Sequence, residues 1–349
     1  MNSQVCNIML VFLSLFLVVQ GGEVQAEVIR YKPLKKKVEQ GDRLKIRGFH
    51  GKVKLVGARS SSHLAVRLRQ VNPDQAPDFA KDIMDDWSFS LHKKDSVIQL
   101  MVRSPQSKRK WEKFLTQGGI PRFLVEVRAP SIPAQVAWHK GPVSVENWSA
   151  PLQVLNQNGS TSVSGGEGSL KWSAQNGSLT VTQRKGQMEL ESVNARIHLK
   201  DVKGDVNMEN FNAKTVITGA EGKMKVASRK GMTVIRRSQG RINFENGQSK
   251  FKVKDFEGDI KGHSTQGRVE AHLKGQSSVR IMSDKATVSI HWPGSGATVN
   301  VGTEDGKLYV PQYLREVRLP NLKQRRGRLR GQQAGSIFVR TETGNIGVH

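Results

Sequence analysis

Glu191 and Glu209 lie eighteen residues apart. If eighteen residues return the chain to the same place, the two carboxyls stand side by side at about the 5 Å that a retaining glycosidase needs. That pair is the best catalytic arrangement in the sequence, and it would suit a polysaccharide lyase or glycosidase carried on a β-helix. Against it, carboxylate columns arise easily on polar faces, and Lys171, Lys223 and Lys225 fall on the same face to neutralise this one. The reading is therefore non-enzymatic, with no catalytic residue assigned. The nine histidines show no ligand spacing, so His198, His263 and His272 read as solvated side chains and no metal is expected. The single cysteine, Cys6, leaves no thiolate site. A calcium-binding nonapeptide roll needs a regular Asp in its turns, and Asn, Gly, Ser and Lys stand there instead. No cofactor motif is present.

Positive charge is the remaining chemistry. The chain has a formal net charge of +25 and a pI of about 10.3. Such a balance favours anionic partners: an anionic glycan, lipopolysaccharide, a negative membrane surface or nucleic acid. Base stacking is disfavoured for the last, because Trp172, Phe244 and Phe251 fall on inward positions.

What positions these charges is a repeat. From Gly141 to Gly267 a small residue recurs at every ninth position, and the second and fourth residues after it are apolar, as in Leu170/Trp172, Leu179/Val181, Ile197/Leu199 and Phe251/Val253. Period-two alternation makes each unit a short strand with one buried face. Asn158, Asn176, Asn194 and Asn212 precede alternate small residues, whereas Glu167, Lys185, Lys203 and Glu221 precede the others. The true period is thus eighteen. This predicts an all-β parallel solenoid with two short strands per 18-residue coil, its asparagines stacked from rung to rung. The inward exceptions are Thr161, Thr215, Thr233 and Gly262. Two buried side chains per unit do not offset the backbone entropy of nine residues, roughly 9 to 18 kcal/mol, so coils must stack and be capped.

Sorting outward positions by face gives Arg196, Lys200, Lys214, Arg236, Lys250, Lys252, Lys254 and Arg268 on one side, against only Glu146 and Glu270. The other side mixes Lys171, Lys223, Lys225, Arg241 and Lys261 with Glu189, Glu191, Asp205, Glu209, Glu245 and Asp259. The first face is therefore the candidate anion-binding ribbon.

Along the chain, residues 1–26 read as an export signal, with an apolar run from Ile8 to Val19 and a small-residue cleavage pattern ending at Ala26. A periplasmic, cell-surface or extracellular destination follows, with no transmembrane segment in the mature chain. Residues 27–138 read as an N-terminal β-rich cap with one or two short helices, around Phe79, Ile83, Met84 and Trp87 and around Trp111, Phe114 and Leu115. The solenoid occupies 139–310, its phase slipping by one residue before Ser277 and two before Ala297. Residues 311–334 form a basic insertion loop with Lys323, Arg325, Arg326, Arg328 and Arg330, which could contact phosphate or sulfate. Residues 335–349 supply the final rungs.

The passage Val125-Glu126-Val127-Arg128-Ala129-Pro130 followed by Gly141-Pro142-Val143-Ser144-Val145, with the closing Gly335-Ser336-Ile337-Phe338-Val339 and Gly344-Asn345-Ile346-Gly347-Val348, resembles the secreted bacterial "putative adhesin" β-solenoid domains, a family of unknown function. The resemblance spans nearly all of the mature chain and implies the fold and an extracytoplasmic setting. It brings no catalytic motif.

Overall fold

The computed structural model describes residues 28–349 except 59, 72–87, 104–121, 294–295 and 332–334. The expected export signal and both expected helical segments lie outside the described residues. Among the described residues every regular element is a strand, and no helix is long and apolar enough to cross a membrane. The chain divides into two units, Met1–Gly159 and Ser160–His349.

The first unit contains β1 (Val28–Arg30), β2 (Leu34–Lys37), β3 (Arg43–His50), β4 (Lys52–Gly57), β5 (His63–Val71), β6 (Ser88–Lys94), β7 (Val97–Arg103), β8 (Arg122–Ala129), β9 (Ala134–Lys140), β10 (Val143–Glu146) and most of β11 (Leu152–Ser164). Two parallel ladders run through it. One has the order β7, β3, β9, β11, with Leu44 paired to both Ile98 and Ala134, and Ala134 to Leu152. The other has the order β8, β4, β10, with Val53 paired to Val125 and Val143. Period-two alternation puts Leu44, Ile46, Val53, Leu55, Val125 and Val127 in the core. Parallel pairing therefore starts at β3 and β4, well before residue 139 where the nine-residue spacing becomes visible. The reason is local: Gly51 (φ +119°) makes the same corner as Gly141 (φ +119°), where a Cβ would lie 2.1 Å from the Gly51 carbonyl oxygen, and the long segments between them hide that kinship from any count of residues. Antiparallel strands close both ladders: β6 covers β7, and β5 covers β8 while carrying β1 and β2. Exposed parallel edges, which would otherwise template aggregation, are thus paired.

In the second unit, β12 (Leu170–Thr182), β13 (Met188–Lys200) and β14 (Val206–Thr218) are followed by the 63-residue β15 (Glu221–Ser283). Each pairs in parallel with the next at an offset of eighteen, as Leu170 with Met188, Val206 and Met224 in turn. Hydrogen bonds such as Asn246 Nδ2 to Ser264 Oγ carry the same offset through β15. The expected pair of short strands per repeat is in fact one strand of thirteen residues. It bends at Asn176-Gly177, where exposed positions separate the buried set Leu170, Trp172 and Ala174 from Leu179 and Val181. We call residues 170–174 and their equivalents the leading ladder, and 178–182 and theirs the trailing ladder. Between successive strands the chain turns through left-handed residues, Gln183 (φ +52°) and Gly186 (φ +122°) in the first case and Asp201 (φ +52°) and Gly204 (φ +126°) in the next.

The apolar rule and its exceptions have packing reasons. Thr161 accepts the Trp172 indole N–H at 3.1 Å, and Thr215 accepts from Asn210 at 3.1 Å. Gly262 makes room for the ring of Phe244 on the neighbouring rung, where any Cβ would overlap it; that ring stacks on Phe251 at 4.2 Å. Arg184 is wholly buried, and burial lowers its guanidinium pKa to about 10. Its Nη2 donates to the carbonyl of Gly168 at 3.1 Å, so backbone oxygens help to hold the buried charge.

The remaining strands are β16 (Thr287–His291), β17 (Ala297–Thr303), β18 (Leu308–Tyr309), β19 (Arg315–Leu319), β20 (Leu322–Leu329), β21 (Gly335–Thr341) and β22 (Ile346–Val348). Here the structure corrects two expectations. Residues 311–334 contain an antiparallel hairpin, β19 and β20, rather than an irregular loop, turning at Asn321 (φ +60°). β20 pairs antiparallel with β17. Residues 335–349 are not the last rungs of the stack. β21 lies between Ser278–Ser283 of β15 and β17, and β22 lies between β16 and β18. β17 and β18 therefore stand one rung beyond β21 and β22, although they precede them in sequence.

Candidate functional site

The eighteen-residue register turns the trailing ladder into columns of outward side chains. Arg196 pairs in register with Lys214, and Lys200 with Thr218 and then Arg236. Continuing the offset through β15 adds Lys250 and Arg268 to the first column and Lys254 and His272 to the second. Between them runs His198, Val216, Val234, Lys252 and Glu270. Arg196, Lys200, Lys214, Arg236, Lys250 and Arg268 are exposed and Lys254 is half-buried. Backbone pairing thus brings the predicted cations of this face together on neighbouring rungs. The two expected carboxylates are already engaged. Glu146 belongs to the first unit, where it meets Lys54 at 2.8 Å. Glu270 is buried and accepts from Lys252 and, at 2.7 Å, from His272. Burial pushes its pKa up, but hydrogen bonds from Lys252 and His272 and their charges outweigh it and hold the carboxyl down at about 2.

Beside the first column the corner forms a groove of about 400 Å³, lined by Gly177, Asn194, Ala195, Arg196, Asn212, Ala213, Lys214, Gly231 and Met232. The asparagines stack as expected: Asn212 donates to Asn194 at 3.0 Å, and Asn194 to Asn176 at 3.2 Å. Small residues at the corner leave the groove open, and each amide presents polar edges beside a cation.

The leading ladder disposes its charge differently. Lys171 meets Glu189 at 2.9 Å and, one residue before the ladder, Arg241 meets Asp259 at 3.2 Å. At the bends, Lys203 meets Glu221 at 2.9 Å. The hydrogen bond and charge of Glu189 raise the Lys171 pKa above its ordinary value. Glu191 and Glu209 are in register on adjacent strands, as their spacing predicts. With Glu245, His263 and the exposed Phe211 they line a groove of about 820 Å³.

The arginine run lies apart from these columns in the pairing scheme. Lys323, Arg325, Arg326 and Arg328 stand on β20 opposite Thr303, Val301, Asn300 and Thr298. Arg325 binds Glu316 at 2.8 Å and the Leu314 carbonyl at 3.1 Å, and Arg330 lies over the Tyr313 ring. Arg326, Arg328 and Lys323 are exposed. Charged side chains on a covering hairpin also discourage edge-to-edge association.

Histidine is where reading the spacing missed a cluster. His272 pairs in register with His291, and their rings stack at 4.0 Å and 11°. His349 follows on the next rung, 5.1 Å from His291. The offsets are nineteen and fifty-eight, the first set by the phase slip and the second by intercalation of β22, so no fixed spacing could have found them. Burial lowers the His291 pKa, helped by the charges of His272 and His349.

No family model matches the chain, and no curated protein does. Among solved structures, it is similar to a "putative cell adhesion protein" from Clostridium sporogenes (11% identity, 91% of this chain and 98% of that one, TM-score 0.18). It is also similar to "putative adhesins" from Parabacteroides distasonis (9% identity, 76% and 98%, TM-score 0.34) and Bacteroides fragilis (11% identity, 94% and 100%, TM-score 0.25).

Proposed function

We propose that this protein is an exported, non-enzymatic β-solenoid that binds an extended polyanion along its trailing ladder. The finer architecture belongs to this reading: the in-register leading and trailing ladders wind as the two walls of one flattened coil. The observation that carries it is the contrast in charge pairing. Among the described residues of the trailing ladder the only carboxylate, Glu270, is already engaged, which leaves Arg196, Lys200, Lys214, Arg236, Lys250, Lys254 and Arg268 without a further carboxylate on that ladder. Rungs about 4.8 Å apart present these cations at a spacing that suits repeated sulfate, phosphate or carboxylate groups. Partners of this chemistry are anionic glycans, lipopolysaccharide, anionic membrane surfaces and nucleic acid, in keeping with an adhesin-like role at the cell envelope or beyond it. The arginines of β20 are a secondary contact at most, since Arg325 and Arg330 already have protein partners.

The test is salt-dependent retention on heparin and on lipopolysaccharide matrices. The Lys214→Glu, Lys250→Glu and Arg268→Glu variant should elute at much lower salt than wild type. Equal elution would remove the proposal. A second reading is favoured by the in-register Glu191 and Glu209 in their 820 Å³ groove, which would suit glycoside chemistry. Turnover of a polysaccharide that is abolished by Glu191→Gln would establish it.

A further inference from the structure

The histidine column of the second unit has the composition of a metal site. His272 and Glu270 are outward neighbours two residues apart on one strand, and His291 stands opposite His272 on the next. One ligand atom from each of the three lies within 4.8 Å of the others. A tetrahedral zinc ion with bonds of about 2.0 to 2.1 Å sets its ligand atoms roughly 3.4 Å apart, which small side-chain rotations can supply. We propose that Glu270, His272 and His291 bind a divalent ion of the zinc class, with His349 the neighbouring donor for the fourth position.

Two imidazoles and one carboxylate form a donor set that zinc favours, and they leave a position open to water or to His349. The strands that position them are paired on both sides, since β16 lies between β15 and β22. Trp292 N–H donates to the His349 carbonyl at 2.8 Å, and His349 N–H to that of Ile290 at 2.9 Å, so the third histidine is held by backbone bonds. Ser289 Oγ lies 3.4 Å from His291 Nε2 and can orient that ring. The groups that oppose a cation are equally plain. Lys252 occupies one oxygen of Glu270, and Lys254 precedes His272 in its column. An incoming ion therefore displaces the Lys252 ammonium from that oxygen. The site is independent of polyanion binding, and either can fail without the other.

The experiment is calorimetric titration of tag-free, full-length protein with Zn(II) in a non-chelating buffer at neutral pH, with Co(II) absorption as the coordination readout. The expected result is about one equivalent bound and a tetrahedral Co(II) band. His272→Gln and His291→Gln should each weaken binding at least about 10-fold, the range typical of losing a ligand or its support. Lys252→Met, which removes a competitor and touches no ligand, should tighten it several-fold. Absence of saturable binding, or stoichiometric binding unchanged in the doubly substituted protein, would overturn the proposal. Should the double variant fail to fold, histidine ring NMR signals of wild type decide: Zn(II) must shift those of His272 and His291. Shifts confined to His63, His92, His139 or His198 would also overturn it.

Discussion

The leading and trailing ladders of the second unit are built from the same strands and carry many of the same residue types, yet they use charge in opposite ways. On the leading ladder and at its edge lysine and arginine meet carboxylates one rung away, as in Lys171 with Glu189 and, one residue before the ladder, Arg241 with Asp259. On the trailing ladder the cations share their columns with one another and flank a column of His198, Val216, Val234, Lys252 and Glu270, whose carboxylate is already held by Lys252 and His272. A net charge of +25 by itself says only that the protein tolerates anions. The register shows where that charge meets a carboxylate on a neighbouring strand, and the proposed function assigns the remainder to a partner.

The largest effect that could break this contrast is on binding. Reversing Lys214, Lys250 and Arg268 should weaken affinity for a sulfated glycan by about 100-fold, or about 2.7 kcal/mol. It should also flatten the slope of log affinity against log salt by about two. Reversing Lys171, Lys225 and Lys261 on the leading ladder should change affinity less than about 3-fold. Similar losses from both variants would show that net charge alone matters.

Paired charge has its own scale, and its upper end lies in the first unit. Asp42 is buried, receives Lys93 at 2.8 Å and accepts the Glu39 N–H at 2.8 Å. Burial raises its pKa, but the hydrogen bonds from Lys93 and Glu39 outweigh that and leave it below its ordinary value. A depressed carboxyl contributes stability above its unfolded pKa of about 3.8 and loses it as pH falls through the folded value. Asp42→Asn should cost about 2 kcal/mol at pH 7 and less as the pH drops below 3.8, read by chemical denaturation. A constant difference across that range would sever the link to ionisation.

Removing a neutral ladder should cost less. Asn194→Ala breaks two rung-to-rung hydrogen bonds at an exposed corner and should destabilise by about 1 kcal/mol, measured by thermal melting. Smallest of all, Asp259→Asn removes the exposed pair with Arg241 and should change stability by no more than about 0.5 kcal/mol. A loss above 1 kcal/mol there would mean that the edge of the leading ladder depends on this ion pair for more than charge balance.

Much of this was legible beforehand because a repeat makes position and environment the same thing. Asparagine every eighteen residues specified a corner where amides stack, and they do. Glycine at 168, 186, 204, 222, 240 and 258 marked the bend that requires it: at Gly222 the φ is +134° and a Cβ would lie 2.5 Å from the Gly204 carbonyl. The other corner accepts Ala195, Ala213 and Ser249. The cation columns follow from the same arithmetic, as does the adjacency of Glu191 and Glu209.

What counting could not supply appears wherever chain order and stacking order part. Gly51 and Gly141 share a corner across ninety residues, and β21 and β22 enter the stack one rung before β17 and β18, which precede them in sequence. The histidine column depends on that intercalation, since His349 reaches His291 only because β22 pairs with β16. The eighteen-residue period and the composition of each face were therefore set by the sequence alone, because local alternation and small corner residues dictate them. The order of the terminal rungs and the meeting of Glu270, His272 and His291 were decided by tertiary structure, because parallel backbone hydrogen bonds can be completed by any strand of the right length and face, whatever its distance along the chain.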